Sequence, residues 1–449
     1  MTSPLESFVL ELSRLVGRCV FHLRTLKQTP LIIILSLLGF LGFVTIWRGF
    51  TAGSVTATLG EVKTYSVVFD AGSTGTRVHV FHFDCSTDKH PYASSPSHFS
   101  EEACRLVPLS ENRFSFFHSI EGGLSSHKDR PENARFDLLS LIDSISLVIP
   151  GRASIFAFLG ATAGLRLLPE SAQKAILSEV GSVVDKKFPG SEVKVIDGND
   201  EARYQWRTVS FLTGNPRAVV VDLGGGSVQL AFRSPRGPRN DNEAAYMQVI
   251  GENAGFLQDK KYLFLHSWLG FGLRAGRMKI LEAKETSACV HSPVDYTYSE
   301  KTISVKPSPG DCHMEIYEAM KVGKGCPDNI TPCAFDGGWR GPPISEKDEI
   351  YLFSYIFDLS KRLGLIADQA HIARFPLNDL KKAALNVCST PVRDDPYFCL
   401  DATFISVLIS DGLGFGGDRF VNVAKKLEYQ GSPLEASWPL GAALIHQEL

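Results

Sequence analysis

The sequence predicts an α/β protein with two similar lobes around a shared cleft, preceded by one N-terminal transmembrane helix. Two observations predict the lobes: strand-like apolar runs alternate with helical patterns from Tyr65 onward, and one glycine-rich hairpin pattern occurs twice. A third observation predicts the transmembrane helix, because a long uncharged apolar run lies near the N-terminus. Together they indicate a membrane-anchored protein with one large folded part.

Composition limits the function classes. The chain has 449 residues, with 46 lysines and arginines against 49 aspartates and glutamates, and its formal net charge is -3. This near balance argues against a nucleic-acid partner, which would require a strong basic excess. Apolar residues make up 44% and charged residues 21%, which is ordinary for globular proteins and argues against global disorder. The length suggests two or three folded units.

The apolar run Leu31–Trp47 carries no charge and is the candidate anchor. At about 1.5 Å per residue, a helix of this length just spans a thin bilayer core of roughly 27 Å. Basic residues cluster before the run and are sparse after it, so we expect a cytosolic tail 1–30, an anchor 31–47 and a stem 48–63, in a single-pass type II orientation. A cleaved signal peptide is the alternative, although thirty preceding residues are many for one.

The cysteines agree with this orientation. Cys19 precedes the apolar run, and the other eight cysteines all follow it. An even set in an oxidising lumen suggests disulfides, and proximity in sequence suggests the pairs Cys85–Cys104, Cys289–Cys312, Cys326–Cys333 and Cys388–Cys399, although other pairings stay open. A zinc site is a poor alternative, since no clustered Cys/His spacing occurs. Asn329 begins an Asn-Ile-Thr glycosylation triplet if it is lumenal.

Strand and helix candidates alternate along the rest of the chain. The predicted strands are Ser66–Phe69, Val78–Phe83, Ile155–Gly160, Val193–Ile196, Ala218–Val221 and Gln229–Phe232. The predicted helices are Pro131–Val148, Glu170–Lys187, Lys347–Leu363, Leu377–Val387 and Pro396–Ser410.

The repeated pattern is VVFDAGSTGTRVHVF at Val67–Phe81 and VVVDLGGGSVQLAF at Val219–Phe232. Each copy has an apolar strand, an aspartate at its end, a glycine-rich turn and an outgoing strand. Asp70 aligns with Asp222, and Gly72 aligns with Gly224. Two copies in matching register suggest a duplicated lobe, each lobe presenting a hairpin turn to a common cleft.

These turns have the chemistry of a polyphosphate site. Glycine allows the backbone to approach a ligand closely, so that consecutive N–H groups can hold an anion, and the hydroxyls of Ser73, Thr74 and Ser227 add donors. Carboxylates at the strand ends, Asp70 and Asp222, suit a hard divalent cation bound directly or through water. The alternative is that both turns are purely structural hairpins.

A hydrolase also needs a base for its attacking water. Glu201 follows the predicted strand Val193–Ile196 and so lies at a strand carboxyl end, where open α/β sheets bind ligands. Asp197 and Asp200 compete with it on chemistry alone, and a solvated acidic loop is the non-functional alternative.

At this point the chain resembles the apyrase family, the nucleoside triphosphate diphosphohydrolases of the cell surface and secretory pathway. Five segments resemble the family's conserved regions in the family's order: Asp70–Phe81, Ala161–Pro169, Asp200–Gly214, Val221–Phe232 and Ser437–Leu444. The resemblance spans residues 65–445 and implies two ribonuclease-H-like lobes of the actin and sugar-kinase type with nucleotide between them. It implies a first lobe of 64–197 plus 420–449 and a second lobe of 198–419.

The resemblance also implies roles for single residues. Glu201 matches the family's catalytic base, while Thr162, Ser227 and Gln229 match positions that hold the attacking water or the terminal phosphate. The phosphate-binding matches are Ser73, Thr74, Gly75, Arg77, Gly224, Gly225 and Gly226. Asp70 and Asp222 match carboxylates that hold Ca²⁺ or Mg²⁺ through water. Trp438 matches a tryptophan of the fifth region, for which a packing role is favoured.

Some residues depart from the family's usual pattern. Gly226 stands where alanine is common and Ala202 where glycine is common, but no acid, metal carboxylate or the glutamine is lost. The resemblance therefore implies cation-dependent hydrolysis of the terminal phosphoanhydride of nucleoside tri- and diphosphates. Base recognition is expected to be loose; Tyr355 and Phe357 are candidates for stacking on the base, although core packing is the favoured role for both.

Two other functions stay open. An exopolyphosphatase shares the DLGGGS pattern, and a non-catalytic nucleotide-binding protein could use the same fold. A single predicted anchor resembles the secretory-pathway branch of the family, so a Golgi location is expected before the plasma membrane.

Overall fold

The predicted strands are present, and they belong to the two main sheets of the protein. A computed structural model describes residues 62–85, 104–110, 113–151, 153–250, 261–326, 331–390 and 395–447. Its strands are β1 Val62–Ala71, β2 Gly75–Cys85, β3 Cys104–Val107, β4 Ser115–Glu121, β5 Ser154–Ala161, β6 Glu192–Val195, β7 Val219–Leu223, β8 Ser227–Ser234, β9 Met247–Ile250, β10 Lys261–Leu269, β11 Thr286–Ser287, β12 Val294–Tyr298, β13 Lys301–Pro307, β14 Ile350–Ser354, β15 Ile372–Pro376, β16 Phe420–Ala424, β17 Lys426–Tyr429 and β18 Ser432–Glu435. All six strand predictions are confirmed.

The helices flank these sheets. They are α1 Ala134–Ile145, α2 Ala163–Arg166, α3 Glu170–Lys187, α4 Gly198–Thr213, α5 Asp241–Ala244, α6 Leu273–Leu281, α7 Cys312–Ala319, α8 Tyr355–Arg362, α9 Leu377–Ser389, α10 Phe398–Val407 and α11 Trp438–Gln447. Helix α3 shows why the sequence folds this way: it begins after Pro169, buries a stripe at Ile176, Val180 and Val184, and ends in two lysines that complement the helix dipole.

One helix prediction is wrong. The segment Lys347–Leu363 was expected to be helical throughout, but its first part is the strand β14 and only the second part is helix α8. The reason is burial: residues 350–353 lie between two parallel neighbours, β7 and β16, and all four are buried. A strand covered on both faces is apolar throughout, and such a run cannot be told from a buried helix by its period.

The two sheets have the same strand plan. In the first, β1 pairs antiparallel with β2 and parallel with β5, which is followed by β6. In the second, β7 pairs antiparallel with β8 and parallel with β14, which is followed by β16. Strands β3 and β4 lie beyond β2, as β10 and β9 lie beyond β8. This correspondence confirms the duplication that the repeated hairpin predicts.

One predicted lobe boundary needs correction. Residues 420–449 were assigned to the first lobe, but strand β16 pairs with β14 and β15 in the second sheet. Helix α11, by contrast, contacts β1 and β2 of the first sheet and packs most extensively on helix α4. The chain therefore passes from the second sheet towards the first only after Ala424.

A hydrophobic core lies between the two sheets and is filled by helices α4 and α11. Val68 and Phe158 enter this core from the first sheet, and Val220 and Ala231 enter it from the second. The two helices are very close at Gly441, where an added Cβ would lie 1.8 Å from the backbone oxygen of Tyr204. Only glycine fits at this crossing, so α4 and α11 are packed as one block.

All four predicted disulfides are present: Cys85–Cys104, Cys289–Cys312, Cys326–Cys333 and Cys388–Cys399. The sulfur atoms of Cys312, Cys388 and Cys399 lie within 4.8 Å of one another because two of these disulfides are neighbours. The predicted anchor Leu31–Trp47 and the triplet at Asn329 lie outside the described residues. Within the part that is described, no helix is both long and apolar enough to cross a membrane.

Candidate active site

The two glycine-rich turns have the same backbone geometry. In the first, the Gly72 N–H donates to the oxygen of Gly75 at 3.0 Å, and in the second, the Gly224 N–H donates to the oxygen of Ser227 at 3.0 Å. Each hydrogen bond closes a turn between an incoming and an outgoing strand. The remaining N–H groups of each turn are therefore presented at the tip of its hairpin.

The tips of the two turns touch each other. A Cβ added to Gly225 would lie 2.6 Å from the Ser73 hydroxyl oxygen and 2.8 Å from a methyl carbon of Thr74. A Cβ added to Gly226 would lie 2.9 Å from the Cβ of Ala163. This contact explains why glycine stands at position 226, where the related family commonly has alanine. The predicted phosphate-binding residues of both turns are thus brought together.

The two predicted metal carboxylates face the same space. Asp70 ends β1 and is paired with Arg77, whose Nη1 lies 3.2 Å from the Asp70 Oδ2. Asp222 lies in β7, and its Oδ1 is buried without a hydrogen-bond partner among the described residues. Burial is the main cause that raises the pKa of Asp222 to about 6; a hydrogen bond from Ser354 opposes the shift, and the neighbouring charge of Asp70 contributes to it. Burial also raises the pKa of Asp70.

This carboxylate pair fits a hard divalent cation. Two buried carboxylates that repel each other, one of them with an unpartnered oxygen, are the donor set that Ca²⁺ and Mg²⁺ prefer. The cation would remove the repulsion and satisfy the free Asp222 oxygen, directly or through water. Arg77 compensates only part of the charge, because it pairs with Asp70.

Glu201 lies in the first turn of helix α4 and is only 8% exposed. Its Oε2 accepts hydrogen bonds from Arg166 Nη2 at 2.5 Å and from Gln229 Nε2 at 3.1 Å. Burial is the main cause that raises the pKa of Glu201 to about 8; the charges of Asp222 and Asp70 add to it, and Arg166 opposes it. A carboxylate with this environment is suited to accept a proton near neutral pH.

The competing acids have other roles. The carboxylate of Asp197 accepts from the Asn199 N–H at 2.7 Å and caps helix α4. Asp200 points outward and pairs with Arg203 at 3.3 Å. Of the three acids that the sequence offers here, only Glu201 is buried in the cleft.

A polar network surrounds the Glu201 Oε2. Gln229 Nε2 donates to the hydroxyls of Ser227 at 2.6 Å and Ser267 at 3.1 Å, and Arg166 lies 3.4 Å from the Ser227 Oγ. Ser227 and Gln229 alternate along β8, so both side chains point to the same face. Thr162 lies at the start of helix α2, and its N–H donates to the oxygen of Ala71 at 3.1 Å. The predicted catalytic residues therefore line one cleft.

Sequence reasoning missed three polar residues that contact the predicted site residues. Arg166 lies inside the conserved-region segment Ala161–Pro169, so that segment held the signal, whereas Ser267 and Ser354 lie on strands β10 and β14, outside the five conserved-region segments. Trp438 packs in the core as expected, but its indole also hydrogen-bonds Asp70. Of the two aromatic residues considered for base stacking, Tyr355 lines the cleft and Phe357 is buried in the core of the second sheet.

The cleft has room for a nucleotide. Its volume is about 1020 Å³, and both turns, both aspartates and Glu201 line it. It therefore combines N–H donors for phosphates, carboxylates for a cation and a buried base within one cavity. This arrangement can transfer a phosphoryl group to water.

Known proteins are similar to this chain in sequence or in fold. The GDA1/CD39 (nucleoside phosphatase) family model matches residues 56–449. Apyrase 1 of Arabidopsis thaliana is 32% identical over 420 residues, covering 85% of this chain and 84% of that protein. A guanosine-diphosphatase of Schizosaccharomyces pombe is 30% identical over 447 residues, covering 85% of this chain and 73% of that protein. The crystal structure of nucleoside triphosphate hydrolases from Neospora caninum has the same fold, with a TM-score of 0.57 at 13% identity over 90% of this chain and 98% of that one.

Proposed function

The chain belongs to the GDA1/CD39 nucleoside phosphatase family, whose reaction is the hydrolysis of nucleoside tri- and diphosphates, and from this membership we propose which residues carry that reaction. The observation that carries the proposal is the buried Glu201, which lies beside Gln229 and Ser227 and in the same cleft as both glycine-rich turns. Glu201 is the general base, and the turns bind the phosphates.

The proposed step is an in-line displacement at the terminal phosphorus. Glu201, in its ionised form, takes a proton from a water molecule that Gln229, Ser227 and Thr162 position. The water oxygen forms a bond to the terminal phosphorus, and the bond to the bridging oxygen breaks. The products are inorganic phosphate and a nucleotide with one phosphate fewer.

The turns and Arg77 stabilise the developing charge. Gly224 closes its turn, and the backbone N–H groups of Gly225 and Gly226 and the donors of Ser73, Thr74 and Gly75 are fixed by the hairpins before substrate arrives, so little reorganisation is needed in the transition state. Arg77 adds a positive charge on one side of the cleft.

Asp70 and Asp222 are the residues that would hold Ca²⁺ or Mg²⁺, with water between carboxylate and ion. A bound divalent ion supplies charge neutralisation of the phosphate oxygens. Asp222→Asn removes one carboxylate without changing shape, so the cation concentration for half-maximal activity should rise by about tenfold or more. A titration with each cation measures this rise, and an unchanged half-saturation point would remove Asp222 from the cation site.

The deciding experiment compares the full chain with Glu201→Gln. Phosphate release is measured from ATP, ADP, UDP and GDP with Ca²⁺, with Mg²⁺ and with chelator, and polyphosphate is included as a further substrate. Loss of a general base should lower kcat by roughly 10²–10⁴. Asp200→Asn is the matched control, because this acid lies one residue away but points out of the cleft.

Each result has a definite meaning. Cation-dependent release that Glu201→Gln abolishes and Asp200→Asn preserves supports the proposal. Release from polyphosphate alone would favour an exopolyphosphatase. Nucleotide binding by folded protein without any release would favour a non-catalytic role, and full activity of Glu201→Gln would assign the base to another residue.

We further propose that the catalytic part lies in the lumen of the secretory pathway, anchored by Leu31–Trp47 in a type II orientation, and in the Golgi before the cell surface. The four disulfides support an oxidising compartment. Protease protection in intact microsomes and a mobility shift lost in Asn329→Gln would support the orientation, whereas digestion of the catalytic part in sealed microsomes would contradict it. Co-staining with Golgi markers and surface biotinylation separate the two locations.

A further inference from the structure

The connection between α1 and β5 exposes a large apolar side chain at its tip. Leu147 is 97% exposed, the highest value among the large hydrophobic residues that the structure describes. Val148 and Ile149 follow it and are partly buried against the core of the first sheet. The tip is therefore held to the core by its second half and presents Leu147 outward.

This tip lies at the end of the first sheet that is farthest from the cleft. Strand β5 begins at Ser154, which pairs with Thr64 near the start of β1, whereas Asp70 near the other end of β1 lines the cleft. At about 3.3 Å per residue, the start of β1 is roughly 26 Å from Asp70. Ile155, the next residue of β5, is 36% exposed and adds apolar surface at the same end.

The chain also enters the first sheet at this end. Strand β1 begins at Val62, and 48–61 connect it to the apolar run Leu31–Trp47. The extended limit of a connection of this length is about 50 Å. With this run as the membrane anchor, as proposed above, the end of the first sheet where β1 begins is within reach of the bilayer.

We propose that the tip formed by residues 146–151 rests on the bilayer that carries the anchor, with Leu147 inserted at the boundary between head groups and acyl chains. The occupant of this surface is phospholipid, because the tip and the chain entry point lie at the same end of one sheet. Transfer of an exposed leucine side chain from water into the bilayer is favourable, and the anchor would hold the side chain close to the bilayer. The inference rests on the proposed anchor, and it implies that the cleft faces away from the membrane.

Quenching by brominated lipids tests the proposal. The full chain carrying Trp47→Phe is reconstituted in phosphatidylcholine vesicles with or without bromine on the acyl chains, and a tryptophan is introduced by Leu147→Trp. The other four tryptophans are buried, each at most 8% exposed, and form a constant background. Leu385→Trp is the matched control, because Leu385 is also an exposed leucine, at 57%, but lies on helix α9 beside the second sheet.

The expected result is that brominated lipid lowers the added fluorescence of Leu147→Trp about twofold and leaves that of Leu385→Trp unchanged, since quenching requires insertion to about 5–10 Å. Phosphate release from ATP confirms that each variant is folded. Vesicle flotation reports the anchor separately. If the protein floats with the vesicles and neither variant is quenched, the tip contact is overturned and the anchor is kept. Equal quenching of both variants would show non-specific adsorption and would also overturn the tip contact. Protein that does not float would overturn the anchor, and this inference with it.

Discussion

Arg166 and Glu201 form a buried ion pair in the cleft, with Arg166 Nη2 lying 2.5 Å from Glu201 Oε2. Their side chains are 13% and 11% exposed, so solvent screens the pair only weakly. Burial and two nearby aspartates favour the protonated form of Glu201, and Arg166 favours the ionised form that a base requires. Arg166 is therefore a positioning residue that also tunes the proton affinity of the base.

Replacing Arg166 should change the pH dependence of hydrolysis. Arg166→Met removes the positive charge that opposes the raised pKa of Glu201, so the rising limb of kcat against pH should move to higher pH. We expect kcat near neutral pH to fall by about tenfold to a hundredfold as the base also loses its position. Arg135→Met is the control, because Arg135 pairs with Glu179 on helix α3. An unshifted profile in Arg166→Met would contradict the tuning role.

The contact between the two turns should make them unequal in their tolerance of alanine. Gly225→Ala places a methyl group 2.6 Å from the Ser73 hydroxyl oxygen, whereas the nearest atom to a new methyl in Gly224→Ala is 3.4 Å away. We expect Gly225→Ala to separate the turns and raise KM for ADP by about tenfold or more, with a smaller effect for Gly224→Ala. Steady-state kinetics with both variants checks this order, and the reverse order would show that the turns do not meet in the working enzyme.

Ser354 is expected to lower the stability of the protein through its backbone conformation and to favour cation binding through its hydroxyl. Its φ of 60° and ψ of -123° are unfavourable for a residue with a side chain, and its hydroxyl hydrogen-bonds Asp222. Strain of this kind costs about 1–3 kcal/mol, so Ser354→Gly should be more stable than Ser354→Ala by about 1 kcal/mol after the entropy of glycine is subtracted.

Both Ser354 variants lose the hydroxyl, so the pKa of Asp222 should rise and the half-saturating cation concentration should increase in both. Denaturant unfolding measures the stability difference, and cation titration of activity measures the second effect. Unchanged cation dependence in both variants would mean that the strain at Ser354 has a purely structural origin.

Without cation, the free energy of unfolding should fall as pH rises from about 5 to 8. The pKa of Glu201 is raised from 4.5 to about 8 and that of Asp222 from 3.8 to about 6, so the unfolded chain binds fewer protons than the folded chain in this window. The contribution of these two carboxyl groups to stability is then fully present below their pKa values in the unfolded chain, and it is lost as pH rises through their pKa values in the folded chain.

Thermal unfolding in chelator at a series of pH values measures this fall. Glu201→Gln should remove the part of this fall in stability that occurs between about pH 6 and 8. Ca²⁺ or Mg²⁺ should further reduce the dependence of stability on pH by neutralising the aspartates. A melting temperature that is constant with pH in chelator would contradict the burial of these carboxylates.

The predictable part of the site is the part that is local in sequence. Asp70 and Asp222 end strands that their own hairpin patterns define, so the sequence indicates both their position and their neighbours. The sequence also places Glu201 after strand β6. Helix α4 begins at its cap Asp197, and this start sets the helix phase that turns Glu201, four residues later, inward.

The rest depends on contacts between distant segments. Ser354 reaches Asp222 only because β14 pairs with β7, and the run from Ile350 to Phe353 has no alternation that would identify it as a strand. Ser267 joins the network because β10 lies beside β8, where it is the partner of Gln229. Such relationships are set by sheet pairing, which periodicity along one chain does not contain.

The packing of helix α4 against helix α11 has a consequence for synthesis on the ribosome. The helix that carries Glu201 is translated more than two hundred residues before its main packing partner, which includes Trp438 and ends at Gln447. Until that last helix emerges, the face of α4 that packs on α11 has no cover, and the core between the two sheets lacks Trp438. A nascent chain that has not yet produced this helix cannot complete the core between the two sheets, so we expect it to hydrolyse nucleotides only after Gln447 has been made.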